Sequence, residues 1–368
     1  MDSPAALAPQ LAQYEKFAMS GVHWQPYVMY FNQPDYRSPV LTTDSRGFRL
    51  SHGLRDVPHS LGDHLPEGPV SLLMGGSSAF GFGAGSDRTT LASLLGRETG
   101  TPWLNLAAPA FNSTQEVLLF LLHRHQLPQI RDVVIFSGLN NLVLSALPGA
   151  DRGFGQFFFS GEFYGELSGA AVRRGAVAGI ARPRSGLRRL LSRSGPPAQP
   201  EPPLDQRVAT AAGALRRDLD RLLELLAPTG ARVRFALQPT LPWSRKKPSA
   251  EESVLLREDG SLWSTMWAGF RTALTEEAHE RYAEETARVC RERGVDFLDL
   301  SAALASHPDR DGWLFVDPVH LNDRGNALAT TLLCAAFGIG AQSPEAAGAE
   351  TLHGPEPLRG PAEKERTP

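Results

Sequence analysis

The sequence is short of several things, and each shortage removes a class of function. Only two of its 368 residues are cysteine. These are Cys290 and Cys334, each in a stretch that reads as helix. Two thiols cannot build the disulfide framework of a small secreted domain, and they read instead as small buried apolar side chains. An excess of one charge is lacking as well. The 37 Lys and Arg stand against 40 Asp and Glu, a net charge of −3, which leaves no electrostatic footprint for a nucleic acid or an anionic membrane surface. No uncharged apolar run is long enough to span a bilayer. The opening Met1-Asp2-Ser3-Pro4-Ala5-Ala6-Leu7-Ala8 has neither the basic start nor the apolar stretch of a secretory signal, so the expected location is the cytoplasm. No internal repeat is visible. His123 and His125 share one predicted helix but lie two apart, so they face different ways and make no ligand set.

What is present is globular composition, 42% hydrophobic and 21% charged. The 35 glycines and 29 prolines imply long loops. Residues 1–68 are aromatic and irregular, with Trp24, Tyr27, Tyr30, Phe31 and Tyr36 before Gly47-Phe48-Arg49, and read as an extension packed on a core. From residue 69 strands and helices alternate. Val70–Met74, Trp103–Ala107, Asp132–Phe136, Arg232–Leu237 and Val295–Leu300 read as strands, rich in apolar and β-branched residues and bounded by turn signals. Residues 89–98, 114–125, 206–226, 276–293 and 322–337 read as helices, the last with Asn322 as N-cap. Regularity fails over 145–204, where Phe154, Phe157, Phe158, Phe159, Phe163 and Tyr164 precede seven arginines from Arg173 to Arg193 and a Pro-rich run. An insertion of that length is a lid, a binding loop or a solvated excursion. The polar tail 341–368 is expected to be disordered. Alternating strands and helices predict a mostly parallel sheet covered on both faces, with the ligand site beyond the carboxyl ends of the strands.

Four segments fall at those ends. Gly75-Gly76-Ser77-Ser78-Ala79-Phe80-Gly81 follows the first strand, where glycines permit a sharp turn that exposes a serine hydroxyl; such turns also bind phosphate or merely connect elements. Asn105-Leu106-Ala107-Ala108-Pro109-Ala110 follows the second strand and on its own is an ordinary turn. Ser137-Gly138-Leu139-Asn140-Asn141 follows the third, and its side-chain amides suit either an oxyanion or an Asx turn. Asp317-Pro318-Val319-His320 precedes the last helix, and a carboxylate three residues before an imidazole can hold its Nδ1 proton and free Nε2. The bland alternative is a surface aspartate and a capping histidine.

Taken in order, these blocks resemble those of the SGNH, or GDSL-like, serine hydrolases, over residues 69–337. The resemblance implies a three-layer α/β/α sandwich with a five-stranded parallel sheet in flavodoxin-like order, spanning 69–340. It implies Ser77 as nucleophile, with Asp317 and His320 completing a triad, and an oxyanion hole from the amides of Ser77 and Ala110 and the side chain of Asn140. The choice of Ser77 over Ser78, and of Asn140 over Asn141, rests on it. It requires no cofactor and no metal, and implies an ester or thioester as substrate, either a small molecule or an acyl group on a carrier. Hydrolysis, acyl transfer to another acceptor, and a non-catalytic binding role are the readings that follow. Three positions depart from the family pattern: Gly76 for aspartate, Ala110 for glycine and Asn141 for aspartate. The stretch Trp24–Arg49 also resembles the N-terminal region of bacterial SGNH-like proteins of secondary metabolism, some labelled inducers of phenazine.

Overall fold

Nine strands form among the described residues of a computed structural model, which comprise 4–153, 155–160, 201–258 and 268–340. Four are short and pair antiparallel near the N-terminus: β1 (His23–Gln25) with β2 (Met29–Phe31), and β3 (Ser51–His52) with β4 (Pro58–His59). The others are β5 (Val70–Gly75), β6 (Trp103–Ala107), β7 (Ile130–Ser137), β8 (Arg232–Leu237) and β9 (Asp296–Asp299). They pair in parallel in the order β6-β5-β7-β8-β9, so the first and second of the five exchange places and the rest follow the chain. That is the flavodoxin-like order.

Both faces of the sheet are covered, and the strand period of two decides which side chain meets which layer. Val70, Leu72 and Met74 of β5, Leu104 and Leu106 of β6, and Val133 and Ile135 of β7 enter one core. The helices Ser113–His123, Leu204–Leu226 and Glu276–Arg291 supply its other side through residues such as Phe120, Leu215, Leu219 and Tyr282. The alternate residues Leu73, Trp103, Val134, Phe136 and Ala236 enter a second core. Leu91–Thr99 and Asp323–Phe337 pack there, with Leu95, Leu333 and Phe337 among the buried residues. The result is a three-layer α/β/α sandwich.

The expected strands and long helices all form, with shifted ends. Asn322 caps the last helix by accepting from the Gly325 N–H at 2.8 Å. The fifth strand stops at Asp299, because its carboxylate accepts from the Ala302 N–H and starts the helix Leu300–Ala305. The N-terminal region carries a helix at Leu11–Met19 beside the two strand pairs, an element that its irregular, aromatic sequence does not announce. Of the insertion, 145–153, 155–160 and 201–204 are described; Phe154, Phe163, Tyr164, the seven arginines and the tail from 341 lie outside the described residues.

One buried acid under the sheet gives the stability a distinctive pH dependence. Glu116, on the helix Ser113–His123, is 2% exposed and accepts the Ser137 hydroxyl at 2.5 Å. Burial pushes its carboxyl up to about 8, helped by the nearby Asp218 carboxylate. The folded state therefore keeps a proton that the unfolded chain surrenders above its ordinary value of 4.5. Folding stability should fall as pH rises from there to about 8. Glu116→Gln keeps an acceptor for Ser137 without the charge. Urea unfolding at pH 6 and pH 8.5 should show the variant gaining on the parent at the higher pH, by at most roughly 2–3 kcal/mol. Equal pH dependence in both proteins would mean that Glu116 titrates as an ordinary surface carboxyl.

Candidate active site

The carboxyl end of β5 is shaped by backbone crowding. Gly75 has φ +152°, and a Cβ there would lie 2.1 Å from the Phe136 carbonyl oxygen of β7, so no side chain fits. The chain turns at Gly76 and enters the short helix Ser77–Phe80 at once. This leaves the Ser77 hydroxyl part-exposed at the mouth of the central strands. Ser78, one residue on, is buried; its hydroxyl donates to the Val319 carbonyl at 3.2 Å and accepts from Gln238 Nε2 at 3.0 Å.

Ser77 Oγ lies 2.7 Å from His320 Nε2, and His320 Nδ1 lies 2.6 Å from Asp317 Oδ2. The other aspartate oxygen, Oδ1, accepts the N–H groups of Val319 at 2.7 Å and His320 at 2.8 Å. Asp317 thus closes a tight turn on itself and presents its second oxygen to the ring. With the carboxylate ionised, Nδ1 carries the proton and donates it, and Nε2 is left as acceptor for the serine O–H. The Phe82 ring packs on the other side of the imidazole, centroids 4.5 Å apart.

The two asparagines after β7 part company. Asn140 Nδ2 donates to the Phe111 carbonyl at 2.7 Å, and lies 2.8 Å from where a Gly76 Cβ would stand. Asn140 Nδ2 therefore lies beside the turn that carries Ser77. Asn141 instead accepts the Ser113 N–H at 3.0 Å and donates to the Ser113 hydroxyl at 2.7 Å, tying its loop to the start of a helix. Ala110 is the third residue of a turn that the Phe111 N–H closes on the Ala108 carbonyl at 3.3 Å. With Pro109 second and φ +65° at Ala110, this is a type II turn, whose third position ordinarily wants glycine. Alanine occupies it at a cost of about 1–2 kcal/mol.

A family model for the GDSL-like Lipase/Acylhydrolase family matches residues 73–328. The chain belongs to that family. Its fold is similar to that of a lipase/acylhydrolase from Enterococcus faecalis, at 13% identity over 75% of this chain and 100% of the other, with a TM-score of 0.41. It is also similar to an extracellular lipase from Streptomyces rimosus, at 15% identity over 73% and 100% of the two chains (TM-score 0.40). A phospholipase A1 from Streptomyces albidoflavus compares at 16% identity over 73% and 99% (TM-score 0.37). No curated protein matches the sequence.

As a GDSL-like acylhydrolase the chain is an enzyme of the esterase class, and two departures from the family pattern acquire a local reason. Glycine at 76 makes room for the Asn140 amide, which any Cβ would displace. Asn141 keeps its loop anchored because both ends of its amide find the same serine. Two site neighbours were not foreseen from the sequence. Gln238, just past β8, holds Ser78 and through it the Val319 carbonyl beside His320. It stands at a strand end where chemistry was expected, but nothing in Gln238-Pro239 announces the contact. Phe82 is an ordinary apolar residue in sequence. Among the described residues no group of three or more His, Cys, Asp or Glu side chains could hold a metal ion, and no helix is long and apolar enough to cross a membrane.

Proposed function

We propose that the protein cleaves an ester or thioester through an acyl-enzyme on Ser77. The observation that carries this reading is the unbroken hydrogen-bonded line from Ser77 Oγ through the His320 ring to Asp317. Ser77 Oγ attacks the acyl carbonyl carbon while its proton passes to His320 Nε2. The carbonyl π electrons move to oxygen, where the amides of Ser77 and Ala110 and the Asn140 side chain receive the charge. Each such donor is worth about 3 kcal/mol of barrier. Collapse expels the alcohol or thiol with the His320 proton, and water repeats the sequence to free Ser77. Asp317 orients the ring and stabilises its cationic form.

The insertion is assigned to acyl selection on the same reading. Its described root supports this: the Phe159 ring lies 5.1 Å from Tyr30, whose hydroxyl donates to the Ala110 carbonyl at 2.8 Å, and Phe158 stacks on Phe270 at 5.8 Å. An apolar wall beside the oxyanion turn suits an acyl chain. A cytoplasmic location is part of the same proposal, and the free thiols Cys290 and Cys334 accord with it.

The test is covalent. A fluorophosphonate probe should label the protein once, on the peptide carrying Ser77, and Ser77→Ala should lose the label while Ser78→Ala keeps it. A folded parent that neither labels nor hydrolyses p-nitrophenyl acetate would sink the reading.

A further inference from the structure

The turn that closes the nucleophile helix, residues 80–84, touches both ends of the reacting pair. At one end the Phe82 N–H donates to the Ser77 carbonyl at 3.0 Å. At the other the Phe82 ring lies against the His320 imidazole at 4.5 Å. The loop also passes so close to the histidine segment that a Cβ on Gly83, at φ +93°, would stand 2.7 Å from the Leu321 carbonyl oxygen.

Its carbonyls are held from elsewhere, by side chains of the N-terminal region. Arg49 is wholly buried, and its guanidinium donates to the carbonyls of Phe80 at 3.1 Å, Gly81 at 2.8 Å and Val40 at 2.7 Å, with Asp87 as counter-charge at 2.9 Å. The Tyr14 hydroxyl lies 2.8 Å from the Gly81 carbonyl oxygen and 2.9 Å from that of Ala84. Gln10 donates to the Gly83 carbonyl at 3.2 Å. Tyr14 also backs Phe82 directly, ring centroids 4.5 Å apart, so Phe82 stands between Tyr14 and His320. A buried arginine is a costly way to satisfy three carbonyls, and it is tolerable only because Asp87 neutralises it and each guanidinium nitrogen has a partner. The arrangement fixes the loop far more tightly than turn geometry alone would.

We infer that Phe82 is a positioning residue for the His320 ring, and that Gln10, Tyr14 and Arg49 hold it there as a clamp from the N-terminal region. The inference rests on the reading of His320 as the base. An imidazole with one hydrogen bond to a carboxylate can still swing about that bond. A ring fixed against its face removes the swing and keeps Nε2 on the serine. The effect belongs to the chemical steps, acylation and deacylation alike, and not to substrate affinity.

The experiment is a pair of double-mutant cycles on the full chain, read as kcat and KM for p-nitrophenyl acetate with thermal unfolding as control. Phe82→Leu should lower kcat about tenfold with KM within about twofold, as loss of orientation does. Phe82→Tyr, which keeps the ring, should restore most of the rate. Tyr14→Phe removes only the hydroxyl and should lower kcat about threefold, giving a milder variant should Phe82→Leu unfold. In a His320→Ala background neither change should slow the residual rate further, because the residue through which they act is gone. Equal losses with and without His320, or an unchanged kcat in a folded Phe82→Leu, would overturn the inference. A parental rate in His320→Ala itself would remove the base, and the platform with it.

Discussion

His320→Ala and Ser77→Ala should each lower kcat by about 10⁴-fold or more for a p-nitrophenyl ester, and the double variant should be no slower than either single one. On the proposed reading the two groups act as a unit, since a serine is a poor nucleophile until a base such as Nε2, here 2.7 Å away, takes its proton. Asp317→Ala should cost less than His320→Ala, because a carboxylate that orients and stabilises is not itself the proton acceptor. It has a second consequence here. Asp317 Oδ1 holds the N–H groups of Val319 and His320, so the turn carrying the base loosens as well. Asp317→Asn keeps an oxygen for those two groups and isolates the loss of charge. Steady-state kinetics with circular dichroism of each variant separate the two effects. Full activity in both aspartate variants would reject the role assigned to Asp317 and leave the pair of Ser77 and His320 standing.

Glu252→Ala should be among the most destabilising single changes, by about 3–5 kcal/mol. Glu252 is 1% exposed, with one oxygen accepting the N–H groups of Leu314 at 2.9 Å and Phe315 at 3.1 Å. The other accepts the Ser249 N–H at 2.8 Å and the buried Lys246 ammonium. Alanine leaves that ammonium without a counter-charge and orphans three amides at once. The segment they pin runs directly into Asp317, so activity in the surviving folded protein should fall too. Glu252→Gln retains the oxygen that serves Leu314 and Phe315 and should lie between. Denaturant titration of the three proteins measures the order, and a Glu252→Ala loss below about 1 kcal/mol would show that the site admits water and is not the dry pair it resembles.

How much could be read in advance follows from the range of the forces involved. Parallel strands buried on both faces write themselves as short apolar runs, and all five could be read from Val70, Trp103, Asp132, Arg232 and Val295 onward. Asp317 and His320 were legible because their interaction spans three residues, within one turn of chain. Asn140 and Asn141 could not be told apart, since the difference lies in what faces them: the Ser77 turn for one and Ser113 for the other. The left-handed Ala110 was hidden for a similar reason. A type II turn after Pro109 would have been evident with glycine, and alanine conceals it. The helix Leu11–Met19 spans only nine residues, and a helix that short draws its stability from tertiary packing and not from local propensity. Tyr14 and Arg49 meet the loop that follows Ser77 across distances in sequence that no local pattern encodes.

The separation of the reacting pair has a bearing on how the protein comes to life in a cell. Ser77 and His320 are 243 residues apart in sequence. At ribosomal speeds, the imidazole emerges roughly 10–50 s after the hydroxyl it must meet. The strands β5, β6 and β7 can assemble during that interval, but the last turn and helix dock only after it. On the proposed reading, a growing chain is thus chemically inert until His320 has been made. Reactivity at Ser77 would then switch on late, as a by-product of topology, and fragments released by a stalled ribosome before His320 would carry the serine without the means to use it.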